Sequence, residues 1–252
     1  MAIGEEHQSE QTEGRNWILD IINGFIDLIY PPNCAICSSV SSYEICPSCR
    51  NSLIPIGRET CIKCGNPKSR DDPCPYCLAI EFHFDMAVSV YAYEEPLRDA
   101  LLDFKYHKSA RKGRALARLL GESYKESILG KSQFDIIIPV PITQRKKKLR
   151  SYNQSEILAN GMKKVSGIPV LPFVLERTRE SPSQTGLDLQ GRMKNVAASF
   201  SVVDDTLVRG KKILLIDDII TTGATVNECA KVLLEAGARR VVAFSLARGM
   251  LD

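Results

Sequence analysis

Two features of this chain of 252 residues could do chemistry by residue type and spacing alone. One is KKILLIDDIITTGAT, residues 211–225, where an apolar run delivers adjacent carboxylates, Asp217 and Asp218, to a turn of threonines around one glycine. Backbone N–H groups, threonine hydroxyls and the positive end of a following helix make such a turn a cradle for phosphate. The acids cannot share that role, because like charges repel. They suit the neighbouring hydroxyls of a sugar carrying the phosphate, and a ribose 5-phosphate fits this order of groups. The pattern is neither a Walker A loop nor a dinucleotide fingerprint, since G-x-x-x-x-G-K-[ST] and G-x-G-x-x-G are both lacking.

The other feature is a set of cysteines. Eight of the nine lie between residues 34 and 77 as four C-x-x-C pairs: Cys34/Cys37, Cys46/Cys49, Cys61/Cys64 and Cys74/Cys77. Each pair can turn both thiolates to one ion, and two pairs complete a closed tetrahedral site of the structural kind. The similar short spacers favour two consecutive zinc sites, 34/37/46/49 and 61/64/74/77, with interleaved pairing left open by spacing alone. A redox motif normally has one pair beside a βαβ unit, and iron–sulfur ligation is the weaker metal alternative. The ninth, Cys229, lies within a helical pattern and reads as a small buried residue.

The elements that must position these groups follow from periodicity. Residues 86–93, 135–140, 169–175, 199–203, 211–216 and 239–247 read as strands, and 96–106, 110–129, 153–166 and 222–236 as helices. Alternation of this kind predicts an α/β fold, a mostly parallel sheet flanked by helices, preceded by a small zinc-ribbon module. The acid pair then stands beyond the carboxyl end of a buried strand, where open α/β sheets bind ligands. Residues 1–14 read as a disordered tail. Residues 15–33 read as an amphipathic helix with Trp17, Ile18, Ile21, Ile22, Phe25, Ile26 and Ile29 on one stripe. The expected domains are a double zinc ribbon over 34–80 and an α/β domain over 84–252.

Composition narrows the class. Residues 1–80 hold 6 Lys and Arg against 10 Asp and Glu, a balance of −4, and the remainder holds 27 against 20, a balance of +7. The basic excess of the larger part suits a phosphate-bearing ligand. No apolar run is long enough to span a bilayer, and the N-terminus MAIGEEHQSEQTEG is not a secretory or transit signal. The expectation is a cytoplasmic protein without stable membrane insertion.

The stretch LLIDDIITTGAT resembles the signature of the type I phosphoribosyltransferases, which bind 5-phosphoribosyl 1-diphosphate. The resemblance implies that Asp217 and Asp218 hold the ribose hydroxyls and that Thr221, Thr222, Gly223, Ala224 and Thr225 hold the 5-phosphate. It also implies a loop after an earlier strand that holds the diphosphate with Mg2+. The strand DIIIPVPI and the basic turn TQRKKKLRSYNQ (143–154) match, which brings in Val140, Pro141, Arg145, Asn153 and Gln154. Cysteine pairs ahead of such a domain are similar to the ComF family, linked to DNA uptake in bacterial competence. LLDFKYHKS (101–109) resembles its lysine-bearing segment, LRSYNQSEILA (149–159) its R-G-F-N-Q segment, and QTGLDLQGRMKNVAASF (184–200) its Q-x-x-L…R-x-x-N…F stretch. Together these cover about residues 17–248. Ser151 and Tyr152 depart from the glycine and phenylalanine common in that family.

The resemblance implies a transferase that displaces diphosphate from the anomeric carbon, with Asp217, Asp218, Lys105 and Arg150 as its catalytic set and an unknown acceptor. It implies about two structural Zn2+ per chain, and Mg2+ arriving with the substrate diphosphate. The alternative is a non-catalytic sugar-diphosphate-binding protein that handles single-stranded DNA, with Tyr106, Tyr152 and Phe173 touching the strand. Competence-machinery proteins are the further partners expected. Residues 177–195 are a candidate lid, and His83 and His107 read as incidental.

Overall fold

The computed structural model describes residues 32–57, 59–67, 73–106, 109–179 and 189–249. The expected tail lies outside these residues, as do His107 and residues 180–188 of the candidate lid. So does the expected helix over 15–33 except for Pro32 and Asn33, which are not helical; Asn33 forms an isolated bridge with Val40. Among the described residues, no helix is long and apolar enough to cross a membrane.

Four parallel strands form the central sheet: β1 (Met86–Ala92), β2 (Ile136–Pro139), β5 (Lys212–Ile220) and β6 (Arg240–Arg248), in the order β1-β6-β5-β2. A separate antiparallel pair joins β3 (Leu175–Arg177) to β4 (Phe200–Val202), with α7 (Leu189–Val196) between them in the chain. Strands β5 and β6 are buried apolar runs, as parallel strands covered on both faces must be. Leu214, Ile216, Val242 and Phe244 pack on one side with α3 (Leu97–Tyr106), α4 (Ala110–Glu126) and α6 (Gln154–Ser166). Ile213, Leu215, Val241 and Ala243 pack on the other with α8 (Ala224–Glu235).

The cysteine module is divided between these faces. Cys34, Ile36, Cys49 and Leu53 belong to the α4 side, together with α1 (Pro47–Ser52). Cys61, Cys64, Cys74, Ile80, Phe82 and Phe84 belong to the α8 side, with α2 (Pro75–Ala79) between them. The chain crosses from one face to the other along the free edge of β1. There Ile56 N–H donates to Val90 O at 2.9 Å and Ala92 N–H donates to Ile54 O at 2.8 Å. Proline at position 55 keeps this edge cover from recruiting another strand.

Three expectations need correction. Residues 169–174 are not a strand: Val170 makes one parallel bridge with Ile137, and Pro169 and Pro172 remove the donors a ladder needs. The basic turn contains a helix, α5 (Gln144–Arg150), capped by the Thr143 hydroxyl, which accepts from Lys146 N–H at 3.3 Å. It ends at Ser151 in the left-handed region at φ 68°, which explains why glycine suits that position. Last, β5 does not stop before the acids. It runs through Asp217 and Asp218 to Ile220, because β6 continues beside it to Arg248.

Candidate active site and metal centres

The run through the acids has a local consequence. A regular strand sends adjacent side chains to opposite faces. Here the alternation slips at the pair: Ile219 joins the cluster of Leu214 and Ile216, whereas Ile220 joins that of Ile213 and Leu215. Both carboxylates therefore line one cleft of about 480 Å³ at the carboxyl end of the sheet. Five basic side chains, Lys105, Arg145, Lys146, Arg150 and Arg177, share that lining with the two acids. Such an excess suits a ligand with several negative charges.

Each acid has a partner. The Ser155 hydroxyl at the start of α6 donates to Asp217 Oδ1 at 3.0 Å, and Asp218 N–H donates to the same oxygen at 2.9 Å. Burial, with Asp218 adjoining, pushes the Asp217 carboxyl up to about 7. Lys105 Nζ lies 3.0 Å from Asp218 Oδ2. Burial works against the charge of that lysine, but the Asp218 carboxylate outweighs it and holds Lys105 above its usual range. The Tyr152 hydroxyl donates to Phe104 O and its ring stacks on Phe104 at 5.5 Å, so the residue before Lys105 is fixed from α6's approach. Tyr152 is thereby half-buried against Phe104.

The threonine turn borders the acids. Gly223, at φ 82°, caps α8 in a conformation that a side chain resists, and a Cβ there would lie 3.4 Å from Phe82. Thr222 is buried and its Oγ1 accepts from Ala224 N–H at 3.3 Å. Thr221 and Thr225 face the cleft, and Thr222, Gly223 and Ala224 line a small adjoining hollow. The turn thus presents the opening amides of a twelve-residue helix beside two hydroxyls.

The cysteines pair sequentially. In each of the sets 34/37/46/49 and 61/64/74/77 the four sulfurs lie within 4.8 Å of one another. Sulfur–sulfur separations include 4.0 Å for Cys37–Cys46, 3.6 Å for Cys61–Cys77 and 3.5 Å for Cys64–Cys74. A tetrahedron built on zinc–sulfur bonds of about 2.3 Å has edges of about 3.8 Å, so the donor sets fit zinc. Backbone N–H groups of Ile36 and Cys46 donate to Cys34 Sγ at 3.4 and 3.3 Å, the support expected around a thiolate.

A double zinc ribbon domain model matches residues 25–78 and a phosphoribosyl transferase domain model matches residues 155–250. Competence protein F of Haemophilus influenzae is 32% identical over 178 residues, which is 69% of this chain and 78% of that protein. The chain belongs to the ComF family. DNA utilization protein YhgH of Escherichia coli K12 is 28% identical, over 88% of this chain and 99% of that protein. Among solved structures, glutamine phosphoribosylpyrophosphate amidotransferase of B. subtilis is 23% identical with a TM-score of 0.38, over 57% of this chain and 30% of that one.

In this ComF-family chain most residues singled out by pattern come together. Asp217, Asp218, Lys105, Arg150, Val140, Pro141, Arg145, Gln154, Thr221 and Thr225 line the cleft. Asn153 stands behind it: its side chain accepts from Ser155 N–H at 3.1 Å and donates to Val140 O at 2.9 Å, bracing the strand end. Arg150 is held by Gln154 Oε1 at 3.1 Å and stacks over Tyr106 at 5.7 Å. Three further residues line the cleft: Lys146 from the basic turn, Arg177 from the start of the candidate lid, and Ser155, which no pattern marks by itself. Ser155 lies inside the family-like segment 149–159, a signal that pointed at its neighbours only.

Proposed function

We propose that this ComF-family protein binds 5-phosphoribosyl 1-diphosphate with Mg2+ and acts as a phosphoribosyltransferase in DNA uptake, in the cytoplasm. The observation that carries the reading is the acid pair set between the threonine turn and the five basic side chains of one cleft. The 5-phosphate would sit on the turn 221–225, the ribose hydroxyls on Asp217 and Asp218, and the diphosphate toward Arg145, Arg150 and Lys105. The acids of the cleft lining number two, one met by Ser155 and one by Lys105. This donor set fits Mg2+ in the manner usual for it, through one or two carboxylates together with substrate phosphates. When bound, Mg2+ would neutralise the leaving diphosphate.

The chain's own part is positioning and charge. The carbon–oxygen bond to diphosphate breaks, and a lone pair of the acceptor forms the new bond at the same carbon. Lys105 has to turn from Asp218 to the diphosphate as the ribose hydroxyls take up the acid. The names of the relatives support a place in DNA uptake. A second reading, a non-catalytic binder that handles single-stranded DNA, is favoured by Tyr106, which is exposed with the Arg150 guanidinium over its ring, and by the exposed Phe173. Release of diphosphate from the labelled sugar with a panel of bases separates the two readings: binding without release supports the second.

The test of the site is Asp217→Asn with Asp218→Asn, followed by calorimetric titration of the sugar diphosphate with Mg2+. Affinity should fall by at least about 100-fold, or about 2.7 kcal/mol, while zinc content stays native. Retained affinity sinks the assignment. The single change Asp217→Asn carries a pH signature. The folded-state carboxyl titrates near 7, above its unfolded value, so the native fold holds the extra proton between about 4 and 7 and loses stability as pH rises through that window. The melting temperature of D217N should therefore exceed the native value by more at pH 8 than at pH 6.

A further inference from the structure

The last residue of β6 is a fully buried arginine whose charge is met by nothing in the cleft. Arg248 is 1% exposed, and its Nε, Nη1 and Nη2 have no hydrogen-bond partner among the described residues. A guanidinium stripped of water and left without a counter-charge is among the costliest groups a fold can hold. The side chain runs to the second ribbon. A Cβ on Gly65, the residue after Cys64, would lie 3.6 Å from Arg248 Nη1. Burial presses the Arg248 pKa down, and the charges that oppose this are those of Cys64, Tyr76, Cys74 and Cys61.

Four thiolates around one Zn2+ carry a net charge of −2 by formal counting, which sulfur hydrogen bonds and nearby cations must compensate in a buried site. We propose that the Arg248 guanidinium is the buried counter-charge of the second zinc centre, acting on the thiolates of that cluster through its charge. Metal and arginine then need each other: zinc makes the thiolates permanent anions, and the arginine makes that anionic cluster tolerable beside the sheet. The contact joins the ribbon to the carboxyl end of β6. There Tyr93 N–H donates to Arg248 O at 2.7 Å and Gly249 N–H donates to Ile220 O at 2.9 Å. Gly249 is packed so closely on Thr221 that a Cβ would fall 2.6 Å from its Cγ2. On the phosphate reading of that turn given above, Arg248 is a positioning residue through which loss of zinc would loosen Thr221.

The test is transfer of zinc from the full-length zinc-loaded chain to a colorimetric chelator, which needs no sugar ligand and is independent of the phosphate reading. Two release phases are expected, one per site. Arg248→Met should speed one of them by about 10- to 100-fold and leave the other native. Arg248→Lys, which keeps the charge, should restore most of the native rate. In cobalt-loaded protein, the thiolate-to-cobalt absorption of one site should shift in R248M and return toward native in R248K. Two unchanged phases, or both accelerated alike, overturn the proposal. Should R248M not fold, Arg248→Gln takes its place: faster release than R248K supports the proposal, and equal rates overturn it. A crystal structure of the native zinc-bound chain decides independently, since a carboxylate facing the guanidinium in place of cluster sulfur would overturn it.

Discussion

The two cysteine clusters share ligand type and C-x-x-C spacing yet stand in different mechanical positions. The first is docked from outside on the α4 side: Cys37 is exposed, and two partly exposed ion pairs, Arg50–Glu122 at 2.6 Å and Arg118–Glu44 at 3.3 Å, tie its neighbourhood to α4. The second is built into the sheet. Three of its four cysteines are buried, Ala87 N–H in β1 donates to Lys63 O at 2.8 Å, and Arg248 Nη1 reaches Gly65, where a Cβ would lie 3.6 Å from it. The chain leaving it carries Phe82 and Phe84 under Gly223, and Asn227 of α8 accepts from His83 N–H at 2.6 Å and donates to Glu81 O at 3.3 Å. Equal metal chemistry therefore does not imply equal work. The second ribbon holds the helix that opens at the threonine turn, whereas the first covers a face of the helical layer.

The widest separation between them is expected on losing a ligand. Cys64→Ser should remove one zinc, lower the melting temperature by more than about 10 °C and weaken sugar-diphosphate binding, because metal-binding energy here is folding energy for the sheet and turn. Cys37→Ser should also remove one zinc but lower the melting temperature by about 3 °C and leave binding native. Zinc content by mass spectrometry, calorimetry and titration read the three quantities. Equal melting losses in the two variants would erase the distinction.

How much of this was legible before the structure depends on whether the signal is local. The eight ligands, the acid pair and the threonine turn are short patterns whose chemistry travels with their spacing, and the structure assembles them. The sequential pairing became decidable only from the sulfur positions. The extension of β5 past Ile216 was hidden because two acids look like a strand end, and only β6 alongside it pays for continuing the ladder. The basic turn hid α5, since four consecutive cations suggested a solvated loop, while Thr143 and Ser151 are its caps. Lys105 facing Asp218 and Arg248 facing the second ribbon join residues more than one hundred positions apart. No periodicity in one segment reports such a meeting, which arises from where chain crossings place whole elements.

A finer contrast lies one residue beyond each ribbon's first knuckle. Ser38 and Gly65 both follow the second cysteine of a pair, and both have positive φ, 62° and 72°. Gly65 is pressed on β1, where a Cβ would meet Ala87 O at 2.4 Å. Gly65→Ala should cost about 2–4 kcal/mol from left-handed strain and overpacking together. Ser38 already accommodates a side chain, so Ser38→Gly should shift stability by less than about 1 kcal/mol, toward greater stability. Urea unfolding of the two variants checks both the size and the sign. A tolerated alanine at 65 would mean that the second ribbon can slide on β1 without penalty.

The smallest expected effect tests the docking of the first ribbon. The Arg50 and Glu122 side chains are 51% and 39% exposed, so solvent and salt screen their attraction. Arg50→Met should cost less than about 1 kcal/mol at physiological salt, and the difference should shrink toward zero at 1 M salt. The first ribbon is then held mainly by Cys34, Ile36, Cys49 and Leu53 in the core and by its metal, with the ion pairs trimming its orientation. A salt-insensitive loss of several kcal/mol in the same urea titration would place Arg50 in the role that Arg248 holds on the opposite face. The two ribbons would then differ in the face they cover and not in how firmly each is built in.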